Sequence, residues 1–518
     1  MRVLVFHGYL LRGTGSNVYN ANLAAALTRL GHEVHLLCQD RHARELEFVG
    51  AVGDWDSGEL RVERIRDTRC TVYRPDIGGL LPVYVADRYE GVEARPFGEL
   101  SDAELDRYLH ANVGAVEQVA ERAAPDVALA NHLVMGPVIL ARALGERQLP
   151  YAVKVHGSAL EYTVKPNPRR FVPYAQEGLE PARGVLVGSR HTAQSLWGAL
   201  EDQSLPARTR LGPPGADVAR FRPLELGAAR RALRSLAERV GPSSTQGSGD
   251  SSFSRDAAAS AAALHELAGG EGKLVAFVGK LILSKGVDLL LAAWPLVLAE
   301  LPDARLVIVG FGAFEEGARR MVEALASGQL QDVRRLAQTG RAAEGGPQSR
   351  LAYLEAFLER LERSAECQRY LQAASGLGER IVFTGRLEHD ELADLLPLCE
   401  AIVVPSTFPE AFGMVAVEGA ACGALPISAQ HSGLAEVSER LAERLPEPVR
   451  ELLSFPLGPS VVESIARRVV RWLQVRADLR VTTRNAIVEV VRERYSWEAV
   501  ARGVIAAARG ELDQLPAP

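Results

Sequence analysis

Cysteine is scarce in this chain of 518 residues, and the five present (Cys38, Cys70, Cys367, Cys399, Cys422) never stand in CxxC spacing. That excludes a zinc ribbon and a disulfide framework, and it fits a reducing, cytoplasmic setting. No stretch approaches 18 charge-free apolar residues, and the opening MRVLVFHGYL has the make-up of a first strand rather than a leader. No signal peptide or transmembrane segment is therefore expected. There is no basic excess either: 59 Lys+Arg against 65 Asp+Glu leave a formal charge of −6. Nothing in that balance marks a nucleic-acid partner. The Walker pattern GxxxxGK[ST] is missing, and no DxD stands at a strand end. Lysine is the rarest cation, with Lys154, Lys165, Lys273, Lys280 and Lys285 as the whole complement. Each place that uses Lys in an arginine-dominated chain is worth attention.

What is present is a globular composition, 47% hydrophobic and 24% charged, on a chain long enough for two or three domains. Short apolar runs alternate with helix-length periodic segments. MRVLVF, HEVHLLCQ, DVALAN, YAVKVHG and GVLVGSR form one set; KLVAFVGK, RLVIVGFG, RIVFTGR, AIVVPS and ALPISA form another. This alternation predicts α/β architecture with two Rossmann-like, doubly wound domains on parallel sheets. The Pro- and Gly-punctuated stretch 210–223 reads as the crossing between them. The expected division is a first domain over 1–212, completed by a C-terminal helix at 496–512, and a second over 213–495. The second carries a flexible Ser/Gly-rich segment at 241–270 and a helical insertion at 313–378. Trp497, Val500, Ala501, Val504 and Ile505 share one face of the tail helix.

Four constellations carry chemistry. Gly13-Thr14-Gly15-Ser16-Asn17 follows the first strand and opens a helix, where backbone N–H groups and the helix dipole favour an anion. Val18 stands where a dinucleotide fingerprint needs its third glycine, although the Asp40 that ends the second strand keeps a dehydrogenase reading open; a plain turn with an N-cap is the other reading. His156 ends the strand YAVKV, at the sheet edge where ligands bind, and can also be read as a structural hydrogen bond; His7 is a weaker case of the same kind. Lys280 and Lys285-Gly286 lie at a strand-to-helix corner, suited to a diphosphate or else a solvated pair. Finally, Glu410 and Glu418 stand eight residues apart around Phe412-Gly413-Met414, two turns along one face if the segment from Phe412 is helical.

Taken in order, GTGSNVYNANLAAALTRLGHEVHLL, VKVHGS, VLVGSR, PPGADVARFRP, FVGKLILSKGVDLLLAA, RIVFTGRL and STFPEAFGMVAVEGAACGALPIS resemble the retaining GT-B glycosyltransferases of family 4, the glycosyl transferases group 1. The resemblance spans nearly the whole chain apart from the two inserted regions. It implies two domains facing across a cleft, the first on the acceptor side and the second binding a nucleotide-diphosphate sugar, UDP- or GDP-linked. It also implies transfer to a hydroxyl acceptor with retention, by a metal-independent hexosyltransferase with no cofactor beyond that co-substrate. By the same resemblance Glu410 meets the donor sugar and Glu418 the ribose, and Lys285 binds the diphosphate. Lys280 stands where the family has Arg. Phe412, Gly413 and Met414 bring backbone amides to the donor, Gly15 lies near the phosphates, and His156 touches the donor sugar. Arg386 and Leu387 fall at the nucleobase pocket. His156, Glu410 and Lys285 are the expected catalytic residues, with no metal ligand among them. The acceptor is open between a sugar, a glycan, a lipid and a small molecule, and peripheral membrane contact is open too. A GT-B nucleotide-sugar epimerase and a non-catalytic nucleotide-sugar-binding protein are the rival readings.

Overall fold

The computed structural model describes residues 1–13, 15–85, 93–241 and 255–518. The chain divides into two compact units, residues 1–215 with 495–518, and residues 216–494. The first unit thus closes three residues later than the sequence suggests. It regains the chain at Tyr495.

Eleven strands belong to the first unit: β1 (Arg2–Phe6), β2 (Glu33–Leu37), β3 (Ala51–Asp56), β4 (Glu59–Arg64), β5 (Cys70–Arg74), β6 (Leu80–Val83), β7 (Glu93–Pro96), β8 (Val127–Asn131), β9 (Tyr151–Val155), β10 (Gly184–Val187) and β11 (Thr209–Leu211). Nine of them form one sheet in the order β11-β10-β9-β8-β1-β2-β5-β3-β4, parallel except for the β3–β4 hairpin. β6 and β7 pair separately. The central strands β8, β9 and β10 are buried at every residue, as a parallel sheet covered on both faces requires. The hairpin turns at Ser57-Gly58, both with positive φ, which suits the right-handed twist of its strands. Strand order reverses between β1 and β8, so the loops after those strands open the crevice where doubly wound sheets bind ligands. The tail helix Trp497–Arg509 starts on a Ser496 cap, whose hydroxyl accepts from the Ala499 N–H at 3.2 Å. It packs against the helix Gly15–Arg29 and strands β8–β10.

The second unit has β12 (Leu274–Val278), β13 (Arg305–Val309), β14 (Ile381–Gly385), β15 (Cys399–Val404), β16 (Leu425–Ala429) and β17 (Ser454–Phe455). They form one all-parallel sheet in the order β14-β13-β12-β15-β16-β17. Its switch point lies between β12 and β15. The loops after those two strands are the Lys280–Lys285 corner and the segment around Glu410. Helices over 315–326, 330–339, 352–363, 367–374 and 377–380 fill the chain between β13 and β14. The segment expected to be flexible at 241–270 is divided. Residues 242–254 lie outside the described residues, whereas Ala257–Gly269 is a helix rather than a linker. Its physical basis is an alanine-rich sequence behind Asp256, whose carboxylate accepts from the Ala259 N–H at 2.9 Å.

Candidate active site

Three histidines gather at the strand ends of the first unit. His7 follows β1, His132 follows β8 and His156 follows β9. The His132 ring lies 5.6 Å from that of His7 and 4.9 Å from that of His156, measured between centroids. Asn131 donates to the Phe6 carbonyl at 3.1 Å, which turns its Oδ1 toward His156 Nε2 at 2.8 Å. That oxygen can only accept, so Nε2 carries the proton and Nδ1 is the bare nitrogen. Burial, then His132, Lys154 and His7, holds the His156 imidazole well below its ordinary pKa and keeps it neutral. Burial likewise lowers His7 to about 4. Neither ring nitrogen of buried His132 has a hydrogen-bond partner among the described residues. Beneath them Lys154, only 2% exposed, donates to the Gly212 carbonyl at 2.7 Å, and burial brings its amine down to about 7. Asp40, the residue that kept a dehydrogenase reading open, is committed to backbone: its carboxylate accepts from Leu11 N at 2.8 Å and from His42 N at 2.8 Å. Gly15 begins the helix Gly15–Arg29, while Thr14 lies outside the described residues.

In the second unit the two switch-point loops are tied together. Lys285 Nζ pairs with Glu410 Oε1. The Ser406 hydroxyl donates to the same oxygen at 2.6 Å, and the Glu410 N–H donates to Ser432 Oγ at 2.9 Å. Burial pushes the Glu410 carboxyl up, but Lys285, Ser406 and His431 outweigh it, and the group sits below its ordinary value. Gly286 has φ +70°, and a Cβ there would fall 2.0 Å from the Pro405 carbonyl oxygen. A residue with no side chain is what lets the β12 corner press against the β15 loop.

Glu410 and Glu418 do not share a helical face. Gly413, at φ +132°, interrupts the chain, and the helix runs only over Met414–Ala421. Glu418 is 2% exposed and reaches His389 Nε2 at 2.7 Å. Burial alone would lower the His389 pKa; the Glu418 carboxylate more than offsets it, so the imidazole is raised above its ordinary value. Lys280 and Arg386 approach one ring from their separate loops, with Nζ 5.9 Å and Cζ 5.8 Å from the Phe311 centroid. Arg386 also pairs with Glu388 at 2.6 Å, and Leu387 and Phe412 are buried beside their loops. Gly15 and His156 thus belong to the first unit, and Lys280, Lys285, Arg386, Leu387, Glu410, Phe412, Gly413, Met414 and Glu418 to the second. Asn131, His132, His389, Ser406, His431 and Ser432 were not singled out from the sequence. His132, Ser406 and His431 all follow strand ends, and that rule alone could have flagged them.

Two family models match the chain, Glycosyl transferase 4-like domain over residues 14–215 and Glycosyl transferases group 1 over residues 363–445. Together they cover more than half of it. Residues 363–445 are thus a glycosyl transferases group 1 domain and residues 14–215 a glycosyl transferase 4-like domain. Among curated proteins, the chain is 27% identical over 233 residues to an uncharacterized glycosyltransferase of Methanocaldococcus jannaschii, covering 45% of this chain and 44% of that protein. It is 26% identical over 308 residues to a D-inositol 3-phosphate glycosyltransferase of Segniliparus rotundus, covering 59% and 48%. The chain thus spans about half the length of these relatives. In structure it resembles sucrose-phosphate synthase from Thermosynechococcus elongatus, with a TM-score of 0.57 at 18% identity over 99% of this chain and 100% of that one. The fold is GT-B, and the group 1 match takes in β14, β15, β16 and both glutamates. No helix among the described residues is long and apolar enough to cross a membrane.

Proposed function

We propose that this protein is a glycosyltransferase that moves a sugar from a nucleotide-diphosphate donor, UDP- or GDP-linked, to a hydroxyl acceptor with retention of configuration. The observation that carries the reading is the pairing of Lys285 with Glu410 at the switch point of the second sheet. A cation and a carboxylate are held there on two loops by each other and by Ser406 and Ser432, ready to exchange that contact for a ligand. In the bound state Lys285 and Lys280 would offset the charge that develops on the departing diphosphate, so the scheme calls on no metal. The N-termini of helices Val287–Glu300 and Met414–Ala421, behind Gly286 and Gly413, would add oriented N–H groups.

Glu410 would then accept hydroxyl protons of the transferred sugar. Glu418, fixed by His389, would accept those of the ribose, and Arg386 and Leu387 would border the base. His156, neutral and with Nδ1 free of a proton, would accept a hydrogen bond from a sugar hydroxyl, with Gly15 near the phosphates. The acceptor oxygen would attack on the sugar face that the diphosphate leaves. The free thiols of all five cysteines fit a cytoplasmic setting. The test is donor turnover in Lys285→Ala, Glu410→Ala and His156→Ala, each expected to fall by orders of magnitude while circular dichroism is retained. Near-normal turnover in Lys285→Ala would remove the diphosphate assignment.

A further inference from the structure

The helices between β13 and β14 enclose a short loop, residues 340–349, that the proposed chemistry does not use. It is built to hold one shape. Gly340 and Ser349 are bridged; Arg341 N–H donates to the Ser349 carbonyl at 3.2 Å, and Gly346 N–H to the Arg341 carbonyl at 2.9 Å. Gly340 has φ +55°, and a Cβ on it would meet the Ser349 oxygen at 1.7 Å. The loop delivers a single carboxylate. Glu344, 7% exposed at its side chain, accepts from the Leu283 N–H at 2.8 Å, and its other oxygen meets Arg341 Nε at 3.2 Å.

Leu283 opens the single turn Leu283–Lys285 that presents Lys285. The first N–H of such a turn has no partner within it. The turn is otherwise fastened by the Thr407 N–H to the Ser284 carbonyl at 2.9 Å and by the Lys285 N–H to the Ile282 carbonyl at 3.0 Å. Glu344 supplies the missing acceptor from outside. A carboxylate beside a cationic corner is a Coulombic penalty for any anion bound there, so its electrostatic effect and its geometric effect have opposite signs.

We propose that Glu344 is a positioning residue for the Lys280–Lys285 corner, and that through it the helical insertion sets the affinity for a nucleoside diphosphate. The proposal rests on reading that corner as the diphosphate site.

The experiment is calorimetric titration of UDP and GDP into the full-length protein and its Glu344→Ala, Glu344→Gln and Lys285→Met variants, with amide exchange of the peptide around Leu283. Glu344→Ala is expected to bind the nucleotide roughly tenfold more weakly, the scale of one lost hydrogen bond to a charged group. It should raise the donor KM with little change in kcat and speed exchange at Leu283. Glu344→Gln, whose amide oxygen still accepts and whose lost charge removes the Coulombic penalty, should bind at least as tightly as wild type and return KM and exchange to wild type or better. Equal or tighter binding by Glu344→Ala, or identical behaviour of Ala and Gln, would overturn the positioning role. Unchanged binding in Lys285→Met, or no binding of either nucleotide to the wild type, would instead overturn the diphosphate reading itself and the proposal with it.

Discussion

Removing the Lys285 amine from its pairing with Glu410 separates what the contact does for the fold from what it does for the ligand. The two side chains are 33% and 23% exposed, so neither the ~0.2–1 kcal/mol of a surface pair nor the ~3–5 kcal/mol for orphaning a fully buried charge applies. A value of about 2 kcal/mol for Lys285→Met is the reasonable middle, because Glu410 keeps its Ser406 hydrogen bond. The penalty has a pH signature. In the wild type the Glu410 carboxyl lies below its usual 4.5, so its stabilising contribution is present above that pH and is lost as pH falls through the lowered value. In Lys285→Met burial is opposed less, the carboxyl rises, and the variant loses stability as pH rises through the new value. The gap between the two proteins should therefore be widest near neutrality and close at acid pH. Adding Glu410→Gln should recover about 1 kcal/mol or more, since both charges are then gone. Scanning calorimetry of the transition of the second unit reads these differences, at roughly 2–4 °C per kcal/mol. Donor turnover should stay absent in the double variant. An additive cycle, or a penalty that does not change with pH, would refute the reasoning.

Other perturbations test neighbouring parts of the account. Gly286→Ala combines a left-handed backbone with a Cβ 2.0 Å from a carbonyl oxygen, so it should lower stability by ~2 kcal/mol or more and weaken donor binding, as measured by urea unfolding and titration. His7, His132 and His156 all have pKa values held down by burial. Their stabilising contribution is present above pH 6.5 and is lost as pH falls through the folded values; for His7, at about 4, this is about 3 kcal/mol by the bottom of the range. The first unit should therefore melt markedly earlier at pH 4.5 than at 7.5, and His7→Asn should blunt that dependence. Asp288, buried at the start of the helix Val287–Glu300, has its carboxyl raised from 3.8 to about 7 by burial. Its contribution is greatest below pH 3.8 and is lost as pH rises to about 7. Asp288→Asn should thus gain stability relative to wild type across that window, by up to about 4 kcal/mol, in melts from pH 4 to 8.

The strands whose sequences are continuous apolar runs were legible at once, because burial on both faces leaves β1, β2, β8–β10 and β12–β16 little room for polar residues. The hairpin β3–β4 was missed for the opposite reason: AVGDWDSGELRVER is polar because β4 is solvated, and the Ser57-Gly58 turn is its only clear mark. The two-residue β17 is too short to carry a period. At the site, Lys285 was found at a strand-to-helix corner of a chain with five lysines, and Glu410 and Glu418 by their spacing of eight around Phe412-Gly413-Met414 together with the family resemblance. The partners Ser432 and His389 were not, since a hydroxyl and an imidazole at helix starts carry no spacing signal and meet the glutamates only through the fold; Ser406 had only its place after a strand end to mark it. The helical spacing of Glu410 and Glu418 failed at Gly413, where positive φ ends the regularity that the count of eight assumed.

The most direct test is a thermal-shift screen of UDP-, GDP- and ADP-sugars against wild type and Glu418→Ala, with NMR of the sugar released or transferred from any donor that binds. Stabilisation by one UDP- or GDP-sugar, loss of that stabilisation in the variant, and an α-configured product from an α-linked donor are the expected results. Stabilisation that survives in Glu418→Ala, an inverted product, or no stabilisation by any nucleotide sugar would contradict the proposed function.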